Sequence, residues 1–106
     1  MPGTARRELA SDLERTARLC ENAAALYVER HGDAVGGDVV TGLLLVAAAL
    51  DTAVDAVESE TALLITATLA REAVEAAERR GLDEPLLECV TALRRITSLC
   101  EAATGR

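Results

Sequence analysis

Apolar and polar positions follow one another along most of the chain with the three- and four-residue spacing of amphipathic α-helices. The first such stretch covers about residues 5–30, and its apolar stripe is Leu9, Leu13, Thr16, Cys20, Ala23 and Tyr27. His31 and Gly32 are typical of a helix end, because glycine takes the left-handed conformation at little cost. The glycine-rich segment 32–38 that follows is predicted to be a loop.

A second stripe predicts a helix over residues 39–58, with Asp38 as its cap; its members are Val39, Leu43, Val46, Leu50, Val54 and Val57. The phase of the pattern then breaks. A new stripe favours a third helix over residues 60–80, and it consists of Ala62, Ile65, Leu69, Ala73 and Ala76. Ser59 is an acceptable cap, so we predict a tight turn at 58–60. One continuous helix from 39 to 80 is the alternative, since no Gly or Pro separates the two stripes.

A fourth helix is predicted over residues 84–103, with Asp83 as its cap and Pro85 in its first turn. Helices of similar length joined by short connections favour up-down-up-down packing. The sequence therefore predicts an all-α fold, an antiparallel up-down-up-down four-helix bundle, with residues 1–106 as a single domain.

Composition agrees with a helical fold, because the chain is rich in alanine and Tyr27 is its only aromatic residue. Small residues at the helix seams predict close packing. They also leave apolar surface for a second subunit, so we expect a homo-oligomer. The net charge of −7 disfavours nucleic acid and anionic membranes as partners.

Targeting signals are not evident in the pattern. The first residues lead into a polar helix rather than an apolar signal region. The longest apolar run, 43–50, is too short to span a bilayer. Three cysteines without an export signal are typical of reduced thiols. We therefore expect a cytoplasmic protein.

The cysteines are the residues with the most chemical interest. Cys89, Leu93, Ile96 and Cys100 share one face of helix four, and Cys20 lies on the stripe of helix one. Filling the core is one interpretation of these thiols, and a soft-metal site is the other. Cys89 and Cys100 should lie about 16 Å apart along the helix axis. Cys20 is expected between them, at the level of Leu93, so that neither a shared ion nor a disulfide is predicted.

Other polar residues do not form a catalytic pattern. His31 is the one histidine, and its place at a helix end predicts stabilisation of that end. A di-iron centre would need two Glu-x-x-His units, and a structural zinc site would need four close ligands. The pairs Asp51/Asp55 and Glu72/Glu75 are typical of a solvated face. We expect that the protein is not an enzyme.

The segment from Cys89 to Cys100, with Arg94 and Arg95 at its centre, resembles the last helix of the four-helix-bundle copper-storage proteins. Leu50–Asp55 is similar to that family's Leu-Asp-Cys-Ala-Asp segment, and 70–80 is similar to its third helix. Members of that family line the bundle interior with cysteines and fill it with Cu(I). For this chain the resemblance implies the fold and an oligomer such as a tetramer, and it does not carry over a copper store. Leu93 and Ile96 stand where the family has its inner cysteines.

The leading hypothesis is a non-enzymatic, cytoplasmic bundle with limited or vestigial Cu(I) binding through Cys20, Cys89 and Cys100. One alternative is a homo-oligomeric interaction or scaffold module that binds no metal. The other is a bundle that binds an apolar ligand in a pocket near Tyr27 and Thr16.

Overall fold

The computed structural model describes residues 3–32 and 37–105. Over these ranges the chain forms four α-helices, α1 (Gly3–His31), α2 (Gly37–Val54), α3 (Glu60–Arg80) and α4 (Glu84–Ala103). Each helix packs on two neighbours, in the cyclic order α1, α2, α3, α4. The predicted all-α, up-down-up-down four-helix bundle is confirmed.

The helix ends follow the local signals in the sequence. Gly32 and Gly81 have φ angles of 80° and 91°, the left-handed conformation that stops α1 and α3. The hydroxyl oxygen of Ser59 accepts a hydrogen bond from the backbone N–H of Ala62 at 3.2 Å. Ser59 therefore caps α3 as predicted, and the alternative of one continuous helix from 39 to 80 is wrong.

The predicted bounds of α2 are wrong at both ends. The helix ends at Val54 rather than residue 58, because the chain tightens into turns there. Ala56 donates to the carbonyl of Ala53 at 3.0 Å, and Ser59 donates to the carbonyl of Ala56 at 2.9 Å. Such three-residue bonds are common where a helix terminates. At the other end α2 begins at Gly37, which places Asp38 inside the first turn; of the predicted loop, residues 33–36 lie outside the described ranges.

The predicted stripes of α1 and α4 are confirmed, since every member is buried. The stripe predicted for α3 is wrong at three of its five members, because Ile65 is 53% exposed and Ala62 and Leu69 are only half-buried, whereas Ala73 and Ala76 are buried as predicted. The buried side of α3 is rotated toward Leu63, Thr66, Ala67, Ala70, Ala73, Val74, Ala76 and Ala77. Alanine recurs so often in this helix that several stripes look plausible. The close approach of α2, where a Cβ on Gly42 would lie 3.5 Å from the Ala73 Cα, selects one of them.

A shift of 50 residues relates the α1–α2 hairpin to the α3–α4 hairpin. Buried and exposed positions coincide throughout 41–50 and 91–100, and throughout 11–20 and 61–70 except at position 64. Identical residues recur at this shift, among them Leu13 and Leu63, Thr16 and Thr66, Val40 and Val90, Thr41 and Thr91, and Leu43 and Leu93. The bundle thus consists of two pseudo-equivalent halves, so that α1 corresponds to α3 and α2 to α4.

Candidate metal centre

Two of the three cysteines meet inside the bundle. Cys20 of α1 and Cys89 of α4 share a hydrogen bond between their thiols, with a sulfur–sulfur distance of 3.5 Å. Cys20 is 0% exposed and Cys89 is 1% exposed. All three cysteines are free thiols. The arrangement is a buried dithiol shared by two adjacent helices.

Polar contacts near both ends of the α1–α4 pair accompany the alignment of the two helices that brings Cys20 and Cys89 together. Near one end, Nε2 of His31 lies 2.9 Å from Oδ2 of Asp83, the residue that precedes α4. Toward the other end, Arg95 donates to the carboxylate of Asp12 at 3.3 Å. Cys20 lies between these contacts on α1, and Cys89 lies between them on α4. The register they hold sets the two sulfur atoms against each other.

The sequence-based placement of Cys20 at the level of Leu93 is therefore wrong. The predicted position of Cys20 along α4 was about one helical turn, roughly 5 Å, away from the observed one. An error of this size decides whether the sulfur atoms of Cys20 and Cys89 are in contact. The expectation that no two thiols lie close together fails for the same reason. The complementary charges of Asp12 and Arg95, and of Arg30 and Asp83, are sequence signals that agree with the true register.

The surroundings favour the protonated thiol at Cys20. Its pKa is raised well above the usual range of a thiol, first by the hydrogen bond to Cys89, and then by burial and the charge of Glu21. Removing this proton leaves a thiolate in a low-dielectric interior, which is costly unless a cation compensates it. A ligand that carries positive charge into the pair would replace the proton.

Cys100 does not join the pair. It lies eleven residues beyond Cys89 on the same helix, a separation of about 16 Å. It is fully buried, and burial together with the charge of Glu101 raises its pKa to about 11. Of the three predicted metal ligands, the structure brings together Cys20 and Cys89 and leaves Cys100 apart.

The donor set of the pair fits a soft ion with few ligands. The sulfur atoms are closer than twice a typical metal–thiolate bond of about 2.3 Å, so one ion can contact both. No group of three or more His, Cys, Asp or Glu side chains that could hold a metal occurs among the described residues. The pair therefore offers too few ligands for tetrahedral zinc, whereas Cu(I) prefers thiolates and accepts two of them.

The other polar residues singled out in the sequence lie apart from the dithiol. His31 is the last residue of α1, and its ring lies 4.5 Å from the Tyr27 ring, centre to centre. Asp51, Asp55, Glu72 and Glu75 are exposed, as expected of a solvated face.

A surface groove of about 540 Å³ runs along the α1–α4 seam. Thr16 lines it together with Leu19, Ala92, Ile96 and Leu99, and the charged residues Asp12, Arg15 and Arg95 also border it. The buried side chain of Tyr27 is not among the residues that line this groove.

Comparison of the chain with protein-family models, with curated proteins and with solved structures finds no match. Any functional assignment therefore depends on the site described above.

Proposed function

We propose that this protein is a non-enzymatic helical bundle that binds one Cu(I) ion between Cys20 and Cys89. The sulfur–sulfur distance of 3.5 Å inside the core carries the proposal. Cu(I) is a soft, monovalent ion for which thiolates are preferred ligands.

The chemistry of binding balances as an exchange of protons for the metal. Two neutral thiols lose one proton each, and Cu(I) takes their place, so that the complex carries one net negative charge. The high pKa of Cys20 means that acid competes with the metal, and affinity rises with pH. The apolar surroundings exclude water and competing ligands.

The capacity of such a site is small. Leu93 and Ile96 fill the core positions between Cys89 and Cys100 and offer no ligand atoms. The proposal is therefore one ion per chain, held in a reducing cytoplasm where both thiols stay available, rather than a store of many ions.

A competition titration tests this proposal. Fully reduced protein is titrated with Cu(I) in the absence of oxygen against a chromophoric Cu(I) chelator. We expect one ion per chain, loss of binding in Cys20→Ser and Cys89→Ser, and retention in the matched control Cys100→Ser. Circular dichroism confirms that each variant remains helical.

Two results would overturn the proposal. The first is a wild-type stoichiometry near zero under these conditions. The second is Cu(I) binding that survives the Cys20→Ser, Cys89→Ser double substitution, because the ion would then be held elsewhere.

A further inference from the structure

The outer surface of α2 and α3 carries a face without charge. No charged residue occurs in 39–50 of α2 or in 61–70 of α3, although 27% of the whole chain is charged. The antiparallel contacts between Gly42 and Ala73 and between Ala49 and Thr66 place 45–50 of α2 beside 65–70 of α3, and the exposed charges of Arg71 and Glu72 lie at the border of this area, near the level of Leu44. We call this surface the uncharged face; its exposed residues are Thr41, Leu44, Leu45, Ala48, Thr52, Thr61, Ile65 and Thr68.

The large apolar residues of this face are prominent. Leu44, Leu45 and Ile65 are 50%, 54% and 53% exposed. Contact of such side chains with water is unfavourable, and the cost grows with the apolar area that they expose. Their exposure in the isolated chain therefore needs a physical reason.

The fold itself does not require apolar residues at these positions. The pseudo-equivalent positions in the other half of the bundle are arginines: Arg94 and Arg95 correspond to Leu44 and Leu45, and Arg15 corresponds to Ile65. All three arginines are exposed, with the same burial class as their apolar counterparts. Comparison of the two halves of the chain thus shows that the bundle accepts charged side chains at these exposed helix positions.

The helices beneath the uncharged face are packed closely together. Small residues let α2 and α3 approach closely, as at Gly42 and Ala73. At the pseudo-equivalent α1–α4 seam, Leu19 and Leu99 line the groove of about 540 Å³. A closely packed helix pair suits a broad protein surface better than a small ligand.

Two of the four threonines of the face have hydroxyl donors that are already satisfied. The hydroxyl of Thr52 donates to the carbonyl of Ala48 at 3.0 Å, and that of Thr68 donates to the carbonyl of Leu64 at 3.0 Å. These donors are satisfied within their own helices. Covering them in an interface would leave no unpaired hydroxyl proton, which is the main cost of burying a polar group.

We propose that the uncharged face is the interface at which a second copy of this chain binds. The rest of the surface holds charges that sum to −7 per chain, and contact through the uncharged face keeps these like charges farther apart than contact through any charged side would. The uncharged face lies on one side of a body of 43 × 21 × 19 Å, so its apolar residues would form the centre of the contact and the charged residues around them its rim, as in a standard interface that buries roughly 800 Å² per partner.

A lipid surface is the competing occupant. Among the described helices, α2 alone has the length and apolar composition to cross a membrane. However, one side of α2 forms part of the bundle core, and Val39, Leu43, Val46 and Leu50 are fully buried there. The face also lacks the cations that bind anionic lipids or nucleic acid.

Sedimentation equilibrium over a concentration series tests the proposal. We expect the wild type to exceed its chain mass of 11.1 kDa and to approach twice that value. Leu45→Arg and Ile65→Arg should each raise the dimer dissociation constant about tenfold or more, because a charge would be buried without a partner. Leu87→Arg is the matched control, since Leu87 is 51% exposed on α4, and it should leave the mass unchanged.

Three results would overturn the proposal. They are a wild type that is monomeric at every concentration, a dimer that persists in Leu45→Arg, and a monomer that sediments with phosphatidylcholine vesicles in a Leu45-dependent manner. The proposal does not rest on the metal site. Cys20→Ser and Cys89→Ser should leave the mass unchanged, so the failure of one proposal is distinguishable from the failure of the other.

Discussion

The sulfur atoms of Cys20 and Cys89 lie 3.5 Å apart, although the two residues are 69 positions apart in the chain. They come from α1 and α4, the first and last helices of the bundle. Near one end of this helix pair Asp83 contacts His31, and near the other end Asp12 contacts Arg95. A distance this short has consequences that chemistry in solution can detect.

The first prediction concerns oxidation. A diazene thiol oxidant such as diamide should take two electrons and two protons from Cys20 and Cys89 and leave a disulfide within one chain. The sulfur atoms need only approach from 3.5 Å to about 2.05 Å. Intact mass should show the loss of two hydrogen atoms, and peptide mapping should locate the bond.

The control for this experiment is Cys100→Ser, which should form the same disulfide as the wild type. Cys20→Ser and Cys89→Ser should form no intramolecular bond. A main product that contains Cys100 would contradict the register of α1 and α4.

The second prediction concerns pH. The pKa of Cys100 is about 11 in the folded chain, above the ordinary thiol value of 9.0 that we expect when the chain unfolds. Well below pH 9 the thiol is protonated in both states, and its stabilising contribution is fully present. As pH rises toward 11 the unfolded state loses the proton first, so the contribution of Cys100 to the free energy of unfolding should fall by about 2 kcal/mol.

Urea unfolding monitored by circular dichroism between pH 8 and 11 measures this decline. Cys100→Ser removes the titrating group, and its decline should be smaller than that of the wild type. Equal slopes for the two proteins would show that Cys100 does not titrate differently on folding.

The third prediction concerns Gly42 in the middle of α2. A Cβ at this position would lie 3.5 Å from the Cα of Ala73, an ordinary contact, and Ala92 occupies the pseudo-equivalent position in α4. Gly42→Ala should therefore raise the free energy of unfolding by about 0.5–1 kcal/mol, because alanine favours the helix.

Gly81→Ala is the contrasting variant. Its neighbourhood is open, but its φ angle is 91°, a conformation that alanine adopts at a cost. We expect destabilisation of about 1 kcal/mol or more by thermal or urea unfolding. Stabilisation by Gly81→Ala, or loss of stability in Gly42→Ala, would contradict the backbone geometry.

The fourth prediction concerns the cap of α3. Ser59→Ala removes the oxygen that accepts from the backbone N–H of Ala62, and it should cost about 1 kcal/mol of unfolding free energy. Ser98→Ala is the control, since Ser98 is exposed within α4, and its effect should stay within about 0.5 kcal/mol. Equal effects of the two substitutions would show that the cap contributes nothing.

Local signals in the sequence determined the four helices and most of their ends. Ser59, Gly32 and Gly81 act through the backbone within a few residues, so their effect is readable without the tertiary structure. The stripes of α1 and α4 were equally clear, because charged residues separate several of the stripe positions there. The bundle class follows from these elements and their short connections.

The buried side of α3 was decided only by packing. Its sequence offers alanine on several sides, so periodicity does not distinguish the stripe with Ile65 from the stripe with Leu63. Contact with α2 at Gly42 and Ala73 makes that choice and turns Ile65 outward. The uncharged face exists because of this rotation.

The dithiol was likewise decided by the tertiary structure. The sequence alone placed Cys20 and Cys89 on inward faces of two helices. It did not determine how far α1 is shifted along α4, because contacts between residues distant in the chain set that shift. One helical turn, about 5 Å, is small on the scale of the bundle but larger than the distance between two bonded or coordinating sulfur atoms.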